Sequence, residues 1–363
     1  MQLIGFLIGA IGGFLAIIFL PSLKPQNILA GVIILVLGFV FHIFIHELGH
    51  LVAGRMSGYG FVSIRFFNFI IVNKGGKLIR KKFKIAGTAG QCLMSPPKQI
   101  NGNYPFVLYN LGGGLMNFIF SALFVVLYFI FSSFSGVWAF NLLAAIGVFL
   151  GLLNILPLNL GVPTDGHNAL NLGKDEVSRR AFWSILNMNA LMIQGFRHRD
   201  IPIEQYFFDN NVDLCDKNNN ALVINVATQR FDQLIDRHEF IEAKAFGENL
   251  FSNAVKMIDI QKNELRCELL FLELIGECRK EEIERLYTAD LKKYIKATSM
   301  YYTSRQRLLY AYAKLFLNDA TEAVHVLTKF NKTCLSYPFD GEIIRDHELI
   351  ALVDDLANQS QKP

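Results

Sequence analysis

A chain of 363 residues that is 52% hydrophobic and holds 32 Phe is too apolar for one soluble domain. Its net charge of +4 hides a split: residues 1–174 carry 11 Lys or Arg and only two acidic residues, Glu47 and Asp165, while the other 189 carry 24 basic and 29 acidic ones. A basic, apolar half followed by a mildly acidic soluble half makes a lipid bilayer the expected surrounding; the overall charge implies nothing about nucleic acid, and no nucleic-acid partner is expected.

Four apolar segments are long enough to cross a membrane: 2–20, 28–53, 106–132 and 137–157. The first has no basic leader and no clear cleavage site, so a retained transmembrane helix is expected rather than a signal peptide. The loop Arg55–Pro105 carries nine basic residues and no acidic one, which assigns it to the cytosol. The N-terminus then lies inside, 21–27 and 133–136 lie outside, and everything after Pro157 is cytoplasmic. Within the loop, Phe61–Val72 and Lys77–Ile85 are rich in β-branched and aromatic residues and flank the turn Asn73–Gly76. They predict a membrane-associated β-hairpin whose basic residues face anionic head groups.

Residues 175–194 predict an amphipathic helix on the membrane surface, followed over 197–219 by an irregular connection. From Ala221 to Asn358 the apolar spacing is helical throughout. Phe240–Ala243, Glu281–Glu284 and Ala320–Ala323 recur at about 40-residue spacing, in the manner of a tetratricopeptide-like protein-interaction domain, with a non-repetitive helical domain as the alternative. The expected fold is mainly α: a polytopic membrane bundle of about four helices (1–170), a connection (171–219) and a cytosolic all-α domain (220–363). Cys92, Cys215, Cys267, Cys278 and Cys334 have no paired spacing and read as reduced thiols.

The second apolar segment contains Phe41–Gly54, FHIFIHELGHLVAG. His-Glu-x-x-His on a helix sets two imidazoles one turn apart on one face, the spacing at which both can hold one metal ion, with the Glu beside it free to act as a base. Ionisable groups in a membrane helix are costly unless they have a partner or a task. A catalytic zinc needs three protein ligands and an open position. His46 and His50 supply two, and Asp165 is the best candidate for the third. Glu47 lies roughly 28 Å along its helix, near the cytosolic face, and Asp165 follows the end of the fourth segment on that face, 118 positions later. Glu47 is then placed to take a proton from water activated by the zinc. His42, one turn before His46, reads as a packed or hydrogen-bonded histidine, with a supporting or ligand role as the alternative; His167 reads as an interfacial polar residue. Asn117 suits an interhelical hydrogen bond, and Gly112–Gly114 suit close helix packing.

Phe41–Gly54, together with Asn154-Ile-Leu-Pro157 and Asp165-Gly166, resembles the HExxH helix and the N-x-x-P…D-G segment of the site-2 protease family, the intramembrane zinc metalloproteases. Gly113–Asn117 is a weaker match to the family's G-P-x-x-N, with Gly114 at its Pro. The resemblance covers roughly residues 28–170, and the Pro157-to-Asp165 spacing is longer than the common family version. It implies that His46, His50 and Asp165 bind Zn2+, that Glu47 is the catalytic base and that Asn154 helps bind substrate. It also implies that the hairpin offers a strand edge to an unwound, membrane-embedded protein or peptide substrate. The C-terminal helical domain lies outside the resemblance and is expected to engage a cytosolic protein partner. Two rival readings are a catalytically inactive membrane scaffold and a metal-ion transporter. The intact Glu47 speaks against the first, and the shortage of polar groups across the membrane depth speaks against the second.

Overall fold

The computed structural model describes residue 13 and residues 27–85, 88–158, 163–202 and 220–360. The expected first span, 2–20, and residues 203–219 of the expected connection lie outside the described residues. The chain is mainly helical, with three helices long and apolar enough to cross a membrane and two antiparallel strand pairs. It divides into two compact units: Met1–Phe67 with Gly87–Arg179, and Asn68–Ala86 with Arg180–Pro363.

In the first unit the three candidate spans are α1 (Ile28–Met56), α2 (Phe106–Ile130) and α3 (Trp138–Ile155). At 1.5 Å per residue they extend about 44, 38 and 27 Å, against a hydrocarbon core of about 30 Å. Their burial is inverted relative to a soluble helix. On α1, Leu29, Val36, Leu37 and Val40 are exposed, while Gly38, His42, Glu47, Gly49 and His50 are buried. An apolar exterior over a polar interior suits lipid, where ionisable groups must turn inward to find partners. The helix α1 stops where Tyr59 N–H reaches back to the Gly54 carbonyl at 2.9 Å and Ser57 N–H to that of Ala53 at 3.0 Å.

After α1, β1 (Gly60–Phe66) pairs antiparallel with β4 (Gly90–Ser95), Gly60 facing Ser95, with a bulge between Phe61 and Ser63. The strand expected over Phe61–Val72 is therefore broken. Phe67 takes a φ of 52° and its N–H donates to Ala89 O at 2.7 Å, so the chain leaves β1 there. β4 had no counterpart in the sequence reading. Short, half-polar strands are specified by their partner more than by their own composition. The unit closes with α4 (Asp165–Lys174).

The second unit contains the hairpin of β2 (Phe69–Lys74) and β3 (Lys77–Lys82). Lys74 faces Lys77 across a two-residue turn in which Gly75 and Gly76 both have positive φ, 56° and 83°. That is the two-residue hairpin turn glycine favours, at the predicted position. The basic residues of the hairpin were expected to face lipid head groups, but two of them are taken up by protein. Lys74 pairs with Asp340, and Lys81 donates to the Tyr337 carbonyl at 3.1 Å. Phe83 sits 5.5–5.6 Å from the rings of Tyr302, Tyr337 and Phe339.

The remaining helices are α5 (Glu176–Ile193), α6 (Ala221–Asp236), α7 (Phe240–Asn253), α8 (Asp259–Ile275), α9 (Lys280–Leu286), α10 (Ala289–Thr298), α11 (Thr303–Ala311), α12 (Ala320–Cys334) and α13 (Asp340–Ser360). A single π-helical turn, Tyr312–Phe316, extends α11. The three recurring segments fall at or near the starts of α7, α9 and α12. The apolar face of α5, expected on the membrane surface, is instead covered by protein: Ala181, Met188 and Met192 are buried with Val226 of α6. An amphipathic stripe needs an apolar cover, and its sequence does not say whether protein or lipid supplies it.

Candidate metal centre

His46 and His50 project from one face of α1, and Asp165 meets them from the start of α4. His46 Nε2 lies 3.1 Å from Asp165 Oδ2 and 3.1 Å from His50 Nε2, and His50 Nε2 lies 3.4 Å from the same carboxylate oxygen. The three candidate ligands thus converge on one point, and no other His/Cys/Asp/Glu group of this kind is found among the described residues.

The partners on the far side of His50 decide which way its lone pair faces. Its Nδ1 lies 2.8 Å from the Tyr109 carbonyl, which can only accept. Nδ1 therefore carries a proton, and in the neutral ring Nε2 presents its lone pair toward Asp165. Asp165 Oδ2 is buried and, among the described residues, has no hydrogen-bond donor. Lone-pair donors packed this closely repel one another unless a cation or proton lies between them. A tetrahedral ion with bonds of about 2.0–2.1 Å has donor–donor edges of about 3.3 Å. The residues therefore fit such an ion.

Backbone chemistry sets the third donor in place. Thr164 caps α4, its hydroxyl accepting from His167 N–H at 3.3 Å and from Leu158 N–H at 3.1 Å, and donating to the Leu156 carbonyl at 2.7 Å. Its own N–H reaches Leu158 O at 3.0 Å. One threonine thus ties the end of the third span to the start of α4 and presents Asp165 in the first turn. Thr before an Asp is a recognisable helix start, a signal the sequence carried for this cap. His167 contributes this backbone N–H to the cap.

Glu47 is buried on α1, and the backbone of Gly90 at the start of β4 lies against its carboxylate, where any side chain would collide with it. Arg65, fully buried on β1, holds that stretch: it donates to Phe67 O at 2.8 Å, Thr88 O at 3.3 Å and Gly90 O at 3.2 Å, and to the Thr88 hydroxyl. Arg65 lies in the stretch Phe61–Val72, whose basic residues were expected to face lipid head groups, and it is buried instead. A buried arginine satisfied by carbonyls is a tertiary feature with no local signature.

Gly113 of α2 faces the His46 ring so closely that a Cβ would strike it. The glycine run permits close packing, as expected, and at Gly113 the space it leaves is filled by a candidate ligand. Asn154 does not join the cluster. Its amide donates to the Leu150 carbonyl of its own helix at 2.9 Å, and none of the contacts that assemble the three donors involves it. His42 and Asn117 are both buried, their side chains in contact at 3.3 Å, which matches the hydrogen-bonded roles read from the sequence. No protein-family model matches the chain, and comparisons with curated proteins and with solved structures give no match either.

Proposed function

We propose that this chain is an intramembrane zinc metalloprotease of the site-2 protease kind, with His46, His50 and Asp165 as zinc ligands and Glu47 as the catalytic base. The observation that carries the reading is the convergence of three lone-pair donors, 3.1–3.4 Å apart, with a buried carboxylate at the residue next to one of them. Zinc would supply a Lewis acid that acidifies water and polarises the scissile carbonyl. Glu47 takes the proton from the attacking water and returns it to the departing amine nitrogen. Its burial among apolar helices keeps bulk water away, which strengthens every electrostatic contribution in the site.

The substrate is a membrane-embedded segment of a small single-span protein, a signal-peptide remnant or a precursor, entering unwound because helical hydrogen bonds shield a scissile amide. Asn154 spends one N–H on its own helix, leaving the second N–H and the amide oxygen for a substrate backbone. The protein is a multi-pass membrane protein with its N-terminus and its helical unit on the cytoplasmic side, as the nine basic residues of Arg55–Pro105 support. The helical unit acts as a tetratricopeptide-like domain that recruits a cytosolic partner or the substrate, and the exposed Ile71, Leu78 and Ile79 of the hairpin contact the membrane surface.

The test is cleavage of candidate single-span precursors by purified wild type and Glu47→Gln protein in liposomes. A loss of at least about 100-fold in the variant is expected. Equal cleavage by both would overturn the mechanism.

A further inference from the structure

Behind His46, on the side away from Asp165, three buried polar groups from three helices form a line. The His46 Nδ1 atom lies 3.5 Å from the side-chain amide nitrogen of Asn117 on α2. The other end of that amide lies 3.3 Å from His42 Nδ1, one turn earlier on α1, and His42 Nε2 lies 3.0 Å from the Leu143 carbonyl on α3. His42 and Asn117 are both 0% exposed. Gly147 is placed so that a Cβ there would strike the His42 ring, just as Gly113 is placed against His46. Both rings are therefore confined as well as hydrogen-bonded.

We infer that this line is a relay that fixes the tautomer and orientation of His46, with Asn117 and His42 as positioning residues for the metal centre; the inference rests on the zinc reading above. A carbonyl only accepts, so the Leu143 oxygen requires the proton of His42 on Nε2. A neutral His42 then has a bare Nδ1, which must accept, so the Asn117 amide takes the setting with its nitrogen and oxygen exchanged from that given above, its NH2 toward His42. The amide oxygen is left facing His46, so His46 Nδ1 carries a proton and its Nε2 lone pair points at Asp165 and His50. The opposite setting of the amide would ask His42 to donate from both nitrogens, a cation buried beside acceptors that are all neutral. Only one setting leaves all three side chains neutral and satisfied. His50 obtains the same tautomer from the Tyr109 carbonyl, so both ligand histidines are oriented by acceptors behind them, one directly and one through two intermediaries.

The test is the zinc affinity of the full chain in detergent, read by competition with a chromophoric chelator, with gel filtration as the check on folding. Asn117→Leu removes the acceptor behind His46 and should weaken zinc binding about 10–100-fold. Asn117→Asp keeps an oxygen toward His46 Nδ1 but loses the NH2 that faces His42, so its affinity should fall between those of wild type and Asn117→Leu. His42→Phe should weaken binding in the wild-type background and have no further effect when combined with Asn117→Leu, because the two act in series. Wild-type affinity in both Asn117→Leu and His42→Phe, or full additivity of the two, overturns the relay. If Asn117→Leu does not fold, His42→Phe and Asn117→Asp still decide it. Wild-type protein that binds no zinc sinks the metal reading beneath the relay, a result distinct from any of these.

Discussion

The two units bury charge and polarity in opposite ways. In the helical unit, charged side chains at the centre meet opposite charges. Arg307 pairs with Glu268 and with Asp346 at 3.3 Å, Arg305 with Glu264 and Glu268, and Arg345 with Asp232 at 3.6 Å. Glu273, wholly buried, is held by Lys244 at 2.6 Å and Arg279 at 2.9 Å. In the membrane unit His50 is buried, His46 and Asp165 are partly buried, and the three converge lone pair to lone pair; among the described residues no Lys or Arg pairs with them. A balanced buried network holds a structure together, whereas one short of a positive charge marks a place for a ligand.

That contrast can be broken from either side. The largest effect is expected on the membrane side: Asp165→Asn removes the anionic donor and should abolish stoichiometric zinc binding in detergent, measured as metal content after dialysis. Unchanged stoichiometry would remove Asp165 from the site. In the helical unit, Arg307→Met leaves Glu268 and Asp346 without their shared cation and should cost about 3–5 kcal/mol in unfolding free energy while leaving zinc content intact. A variant that loses zinc without losing stability would blur the division between the units.

A smaller effect should come from pH. His198 is buried in the 3-10 turn His198–Asp200, and burial, with the nearby Arg345 charge, pushes its imidazole down to about 3. The neutral ring is the folded form, whereas the unfolded chain takes its proton near pH 6.5. The stability it contributes is complete above about pH 6.5 and is lost as pH falls toward 3, by at most about 1.4 kcal/mol per pH unit. Unfolding midpoints of wild type and His198→Phe at pH 7 and pH 5 should converge at the lower pH. The smallest change is expected at the hairpin, where Lys74 pairs with Asp340, a residue half exposed. Lys74→Met should shift stability by less than about 1 kcal/mol. A larger loss in the same unfolding assay would show that the pair does more than a surface bridge.

Much was legible before any tertiary structure. The three described spans follow from runs of apolar residues, because bilayer thickness translates directly into helix length. The pairing of His46 with His50 and the adjacency of Glu47 follow from helical periodicity alone, and the hairpin turn follows from the conformations open to Gly75 and Gly76. These are local matters, fixed within a few residues.

Contacts made at a distance were not open to that reading. Asp165 could be matched to His46 in membrane depth, but its approach to 3.1 Å depends on Thr164 fastening α4 to the end of α3. The burial of α5's apolar face, the hold of Asp340 and Tyr337 on the hairpin, and the break at Phe67 each depend on a partner far along the chain. Asn154, at the expected motif position, instead spends one N–H on a carbonyl four residues away in its own helix. Periodicity within one segment settled which side chains share a face. Only packing between segments decided what that face meets, because hydrogen bonds and close contacts over more than a helical turn exist only once the chain has folded.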